Sequence, residues 1–417
     1  MNQTQNKLGK ISIECMMKSS NNNGLDTMKV KSLEIKNVGG ISHLKLENLN
    51  ERMNIICGAN GVGKTNILDS IVYVFSEYDP KSVVNKSVGS TKGNIELETD
   101  AFENVLIKSI NEYEPSNHRF SSISSEPTIF TELRDVIYLK VNRIFDYRFL
   151  DSISFSEKKL QKRLKSLVNG IDGEDLKGWL VSQLLLSTSP DALDLCDLEN
   201  IEELKKCFSL LDSDIKYKSL KNNEIIVSTP TGDIYFEYLS SGFKSILFII
   251  INIFRELSER AIYVTTSHKL FNGIILIDEV ELHLHPEWQG RICTILKEVF
   301  PNAQFFITTH SPHVVQTAIK GEVIALERKN GVVERRELPE SEYGYQGWTI
   351  EEILEDVMGM PDLRTKKYNE IKARFDKALD EQNKDDAKAA YHELDKMLHP
   401  QYPLRPVFKM QLDSLGE

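Results

Sequence analysis

One run of eight residues restricts what this chain can become more than any other: Gly58-Ala-Asn-Gly-Val-Gly-Lys64-Thr65. It follows the apolar Met53-Asn-Ile-Ile-Cys57 and precedes Asn66-Ile-Leu-Asp-Ser-Ile-Val-Tyr-Val-Phe75, so the predicted order is strand, glycine loop, helix. Every position meets G-x-x-x-x-G-K-[ST], the pattern of a phosphate cradle. Glycines let the backbone curl its N–H groups inward, and the helix N-terminus adds roughly half a positive charge. Asn60, Gly61, Val62, Gly63, Lys64, Thr65 and Asn66 are therefore the expected nucleotide contacts, with Lys64 reaching the β/γ-phosphates and Thr65 holding Mg²⁺.

Composition narrows the class around that loop. The 417 residues carry 51 basic and 62 acidic side chains, a formal charge of −11, which argues against a surface basic enough to bind nucleic acid everywhere. The apolar run Ile246-Leu-Phe-Ile-Ile-Ile251 is far shorter than the roughly 18 residues needed to cross a bilayer. Residues 1–27 are polar and lack the apolar stretch of a secretory signal, so a cytoplasmic protein with a flexible leading extension is expected. Five cysteines without C-x-x-C spacing suggest neither a disulfide framework nor a zinc site.

Along the chain, Lys29–Lys36 and Ile41–Leu46 alternate as a strand pair around Asn37-Val-Gly-Gly40, and Ile95–Glu98 with Val105–Lys108 continue an antiparallel edge. From Ser156 the period becomes helical, with Leu160, Leu164, Leu167 and Val168 on one face among Lys158, Lys159, Lys162, Arg163 and Lys165. That basic face is either solvated or set against a nucleic-acid backbone. Sheet returns at Glu224–Ser228 and Asp233–Glu237, and Leu239-Ser-Ser-Gly-Phe-Lys-Ser245 then opens an apolar helix reaching Arg260.

Ile274-Ile-Leu-Ile-Asp278-Glu279 reads as a buried parallel strand whose end emerges beside the phosphates. Asp278 is placed to join the Mg²⁺ shell and Glu279 to polarise an attacking water. Ala303–His310 is a second strand ending in polar residues, where His310 is suited to a hydrogen bond with the γ-phosphate or that water. Near the C-terminus Thr349 and Glu352 form a capping box, Pro361 ends its helix, and two amphipathic helices follow as a hairpin before Pro400.

These residues together resemble the ATP-binding-cassette class of ATPase heads, the branch shared with SMC and RecF-type proteins. The resemblance implies an α/β fold: a P-loop NTPase of ABC/SMC-head type, with a mixed sheet, an antiparallel edge, an inserted helical lobe and a C-terminal helical tail. It divides the chain into a flexible extension at 1–27, an N-terminal head lobe at 28–150, an inserted lobe at 151–220, a C-terminal head lobe at 221–335 and a tail at 336–417 for partner binding or oligomerisation. It also implies ATP and Mg²⁺ as cofactors, with Ser240 and Gly242 of one copy closing over ATP held by a second. The signature departs from the usual form, with Ser241 for its first glycine and Phe243 for Gln or Glu.

The segment Val280-Glu-Leu-His-Leu-His-Pro286, with Thr308-Thr-His-Ser-Pro312, is similar to the AAA_15/AAA_21 and OLD-type defence ATPases. His283 and His285 read either as a subunit contact or as two ligands of a metal lacking its third. The Trp348-Thr-Ile-Glu-Glu-Ile-Leu-Glu-Asp-Val-Met-Gly-Met360 stretch and hairpin resemble the ends of ATPases from Septu systems and of the Septu-like ATPases beside some retrons. That implies a slow ATPase regulating a separate HNH-type nuclease in anti-phage defence, as a homodimer or higher homo-oligomer, with nucleic acid or a retron reverse transcriptase complex as further partners and no membrane. A RecF-like DNA-repair ATPase that clamps DNA directly is the alternative.

Overall fold

The computed structural model describes residues 28–75, 87, 90, 92–101, 105–110, 136–141, 176–189, 192–260, 266–339 and 341–415. The leading extension and the helix expected over residues 158–168 lie outside them.

In chain order the described strands are β1 (Val30–Val38), β2 (Ile41–Leu46), β3 (Met53–Gly58), β4 (Gly93–Thr99), β5 (Leu106–Ile110), β6 (Val136–Leu139), β7 (Lys216–Lys221), β8 (Glu224–Thr229), β9 (Gly232–Tyr235), β10 (Ile274–Ile277), β11 (Gln304–Thr308), β12 (Val323–Lys329) and β13 (Val332–Arg335). The helices are α1 (Lys64–Phe75), α2 (Leu176–Leu186), α3 (Leu195–Leu211), α4 (Ser241–Arg260), α5 (Pro286–Gln289), α6 (Ile292–Val299), α7 (Pro312–Gln316), α8 (Lys366–Asp380), α9 (Lys384–Met397) and α10 (Arg405–Asp413).

A six-stranded sheet in the order β13-β12-β3-β11-β10-β6 carries the site. Its members β12, β3, β11, β10 and β6 run parallel and β13 closes the edge antiparallel. Strands β3, β6, β10 and β11 are buried at every position, as uninterrupted apolar runs in a parallel sheet should be. Alternation still operates inside them: Ile275 and Ile277 face one core with Phe208, Ile246 and Ile250, while Ile274 and Leu276 face the other with Leu33, Ile67 and Ile71. The first core seats α2, α3 and α4 and the second seats α1 and the antiparallel sheet β2-β1-β4-β5. The chain thus has the α/β architecture of a P-loop ATPase head, with a mixed sheet.

Register decides where chemistry can occur. Leu326 pairs with Gly58, Ile56 with Thr308, Ile307 with Ile277, and Ile277 with Leu139. The carboxyl ends of neighbouring strands therefore meet along one rim, and the residues following them share it.

The expected strand pair after residue 224 is β8 and β9, but Phe236–Tyr238 turns out of the sheet as a 3-10 helix, and β7 joins on the other side. Thr349 and Glu352 form the capping box, after which Met358 N–H bonds to the Ile353 carbonyl and widens the turn. Cys57, Cys207 and Cys293 are buried free thiols. Two compact units divide between Gly359 and Met360; the second packs α8, α9 and α10 around Ile371, Phe375, Leu394 and Phe408. Among the described residues no helix is long and apolar enough to cross a membrane.

Candidate nucleotide site

The phosphate loop begins where β3 runs out against β12. A Cβ on Gly58, at φ +140°, would lie 2.3 Å from the Leu326 carbonyl oxygen, so only glycine lets the chain leave the sheet there. Gly63, at φ +111°, turns the loop back into α1 with Ile41 beneath it. The first N–H groups of α1, from Lys64 onward, have no acceptor within their own helix and face the loop. Arg328 braces the outside, donating to the Gly40 and Gly61 carbonyls at 3.2 and 3.4 Å.

Lys64 is 6% exposed, and its ammonium donates to the Gly58 and Ala59 carbonyls at 3.0 and 3.1 Å. Burial lowers its pKa from the ordinary lysine value, against the opposing pull of Cys57, Glu281, Asp278 and Glu279. The same burial pushes the Cys57 thiol up to about 12, so that group stays neutral behind the loop.

Asp278, directly after β10, is 3% exposed and accepts from two hydroxyls. Thr65 Oγ1 reaches its two carboxylate oxygens at 3.1 and 3.0 Å, and Thr308 Oγ1 reaches Oδ1 at 2.5 Å. Thr308 Oγ1 in turn accepts from the Glu279 N–H at 2.7 Å. Glu279 is a half-buried, non-glycine residue at φ +47°, a conformation held only by its surroundings. Sequence reading brought Thr65, Asp278 and Glu279 to one place but gave no role to Thr308, whose signal was a hydroxyl ending an apolar strand.

Glu281 was missed as well. Its carboxylate accepts from Thr309 Oγ1 at 2.8 Å and from the His310 backbone N–H at 2.6 Å, tying the loop after β10 to the loop after β11. His310 itself is exposed at the rim. Ser311 Oγ donates to Gln289 Oε1 at 2.6 Å, a second tie between the same loops.

The signature lies against the segment that follows β10. Ser240 is exposed and its Oγ accepts from Phe243 N–H at 3.3 Å, capping α4. A Cβ on Gly242 would sit 3.4 Å from Trp288 Cδ1 and 3.5 Å from His285 N, so α4 starts against the His283–Trp288 segment. Trp288 also meets Phe243 edge to face at 5.9 Å. His285 Nδ1 accepts from Glu287 N–H and caps α5, which gives that ring a structural task. Among the described residues no group of three or more His, Cys, Asp or Glu is arranged for a metal.

Beneath the site, buried Asp69 accepts from Tyr138 OH at 3.0 Å and lies 3.5 Å from the Lys140 ammonium. Burial raises its pKa against the pull of Lys140. The donor set as a whole fits Mg²⁺ and a triphosphate: a hydroxyl and a carboxylate supply hard oxygens, and a lysine and a helix N-terminus supply positive potential.

Residues 53–316 match the family described as AAA domain, putative AbiEii toxin, Type IV TA system. Over 399 residues the chain is 41% identical to the Septu protein PtuA of Bacillus thuringiensis, covering 93% of this chain and 98% of that one. It is 30% identical over 192 residues to the Retron Vc95 probable ATPase of Vibrio cholerae serotype O1 biovar El Tor, covering 43% of this chain and 35% of that one. Among solved structures, the SMC head domain from Thermotoga maritima aligns over 75% of this chain and 100% of that one, with 17% identity and a TM-score of 0.45.

Proposed function

The chain belongs to the AAA_21 ATPases and, within them, to the family of the Septu protein PtuA, and from that premise we propose that it is the ATP-dependent regulatory subunit of an anti-phage defence complex. It is an ATPase. In the proposed cycle two copies bind face to face, each holding ATP with Asn60–Asn66 and receiving Ser240 and Gly242 from the other. Lys64 neutralises the β/γ-phosphates, and Thr65 with Asp278 holds Mg²⁺, which when bound offsets phosphate charge. Glu279 orients and deprotonates the attacking water, and His310 contacts the γ-phosphate. The C-terminal helices dock an HNH-type nuclease, so the state of the nucleotide governs when nucleic acid is cut.

One observation carries this reading: the chain Thr65–Asp278–Thr308–Glu279 is satisfied within one copy, while Ser240 is turned to solvent. A phosphate site so arranged can bind on its own and still be completed by a second chain. The experiment is affinity purification of the tagged full chain from its host, with and without ATP, followed by phosphate-release assays. The reading expects an HNH-family polypeptide in the eluate and turnover lost on Lys64→Ala. A chain that hydrolyses ATP and binds duplex DNA with a steep salt dependence, but recovers no nuclease, contradicts it.

A further inference from the structure

The residues just ahead of the signature are held by an ion cluster that belongs to neither the phosphate loop nor the carboxylate strand. Lys177, near the start of α2, has a side chain only 6% exposed. Its ammonium lies 2.7 Å from Glu224 Oε2 and 2.5 Å from Glu237 Oε1, on carboxylates 12% and 4% exposed. Burial pulls the Lys177 ammonium down, but the two carboxylates outweigh it and leave its pKa raised. Glu224 opens β8, and Glu237 sits in the 3-10 turn three residues before Ser240.

That turn is fixed at several points. The Glu237 carbonyl accepts from the Lys244 ammonium at 2.8 Å, so the first turn of α4 grips the backbone whose side chain Lys177 grips. Phe236 packs edge to face on Phe208 of α3 at 6.1 Å, and Phe243, within the signature, packs on the same ring at 6.4 Å. Leu239 N–H bonds to the Phe236 carbonyl, closing the turn immediately before Ser240. Two aromatic contacts to α3 and one cation from α2 therefore set the direction in which Ser240 leaves the core.

The chemistry of the cluster makes it sensitive to one residue. Two buried carboxylates facing a single ammonium are compatible only while the cation is present; without it they repel each other and each lacks compensation for its lost hydration. The apolar burial behind the aromatic contacts is non-directional and tolerates a small rotation. The ion cluster is less tolerant, because the Glu237 carboxylate has no hydrogen-bond partner and its buried charge is compensated by the Lys177 ammonium at 2.5 Å.

We infer that Lys177 is a positioning residue for the signature: by holding Glu237 against Glu224 it fixes the 236–240 turn, and so the angle at which Ser240 is presented to the nucleotide of a second copy. The inference deepens the proposed function and rests on the trans role given there to Ser240. It also assigns α2 a task, the transmission of any movement of its region to the signature of the same chain.

The test uses the full chain with Lys177→Met, Lys177→Arg and the milder Glu224→Gln, which leaves the Lys177–Glu237 contact in place. Hydrogen exchange without nucleotide reads the positioning directly. Amides of residues 236–243 are expected to exchange at least about tenfold faster in Lys177→Met, with those of 58–70 unchanged. In turnover, kcat is expected to fall about tenfold or more with fluorescent-ATP affinity within about threefold of wild type, and Lys177→Arg to recover much of it. A merely structural role would lower thermal stability without separating kcat from nucleotide affinity. If Lys177→Met does not fold, Glu224→Gln is expected to give the same pattern at smaller size. Unchanged exchange at 236–243, or unchanged kcat in a folded Lys177→Met chain, overturns the inference. Wild-type protein that hydrolyses ATP without ever self-associating counts against the dimer reading instead, and the exchange result then decides the positioning alone.

Discussion

The two halves of the proposed nucleotide site, the phosphate loop and the signature, are built differently. On the phosphate side, Lys64, Asp278 and Thr308 are buried, and each is tied by hydrogen bonds to its own chain. On the signature side, Ser240 and Ser241 are exposed, and the order there comes from what lies beneath them: Trp288 against Phe243 and Lys177 on Glu237. The first half is finished within one chain. The second is a held but open surface, the form expected of a contact made only when another molecule arrives. Binding and turnover should therefore separate under mutation.

The largest effect is expected from Lys64→Ala, which removes the buried cation of the finished half. Nucleotide affinity should drop by at least about 100-fold in a fluorescent-ATP titration, since a charge-assisted phosphate contact is lost. Glu279→Gln comes next: kcat should fall by about 100-fold or more while affinity stays near wild type, because a general base contributes to the reaction and little to ground-state binding. If both variants lose binding equally, the two halves are not separable and the comparison fails. Ser240→Ala should lower kcat by about tenfold with affinity in the isolated chain unchanged, and cost about 1 kcal/mol of stability through the lost α4 cap, measured by denaturant unfolding.

The smallest effect separates site from scaffold. His268 is buried against Phe254, with Asn200 Oδ1 accepting from its backbone N–H at 2.8 Å. Burial lowers its pKa from 6.5 to about 4, with Glu199 and Glu203 opposing. Between those values the unfolded chain binds the proton and the folded chain does not, so this contribution is complete above about pH 6.5 and is lost as pH falls toward 4. The loss is at most about 3 kcal/mol, and His268→Gln should flatten the stability profile in that window without changing turnover at neutral pH.

Much of the finished half was legible in the sequence because its signals are local. A glycine loop between an apolar run and a helix, and a carboxylate pair after four apolar residues, each state their own geometry. The open half was less so. Lys177 meets Glu224 and Glu237 across 47 and 60 positions, and no periodicity links residues so far apart. Glu281 looked like one charge in a loop, and only the approach of the β11 end gives it a partner. Strand β7 escaped notice because half of Lys216-Tyr-Lys-Ser-Leu-Lys is charged and only Tyr217 and Leu220 are half-buried. Helix α10 lies beyond Pro400, where the sequence reading ends the hairpin, and starts at Arg405-Pro406 with proline in its first turn.

The proposal that two copies share each triphosphate is tested most directly by mixing two chains in a Glu279→Gln background, each with one cysteine introduced beside the five native ones, Asn60→Cys in one and Ser240→Cys in the other, under a short bifunctional maleimide, with the chains lacking the introduced cysteines as the control. A mixed cross-linked species of twice the chain mass, formed with ATP and Mg²⁺ and absent without them, is the predicted result. Saturating ATP with no mixed species, or the same yield without nucleotide, would contradict the shared site.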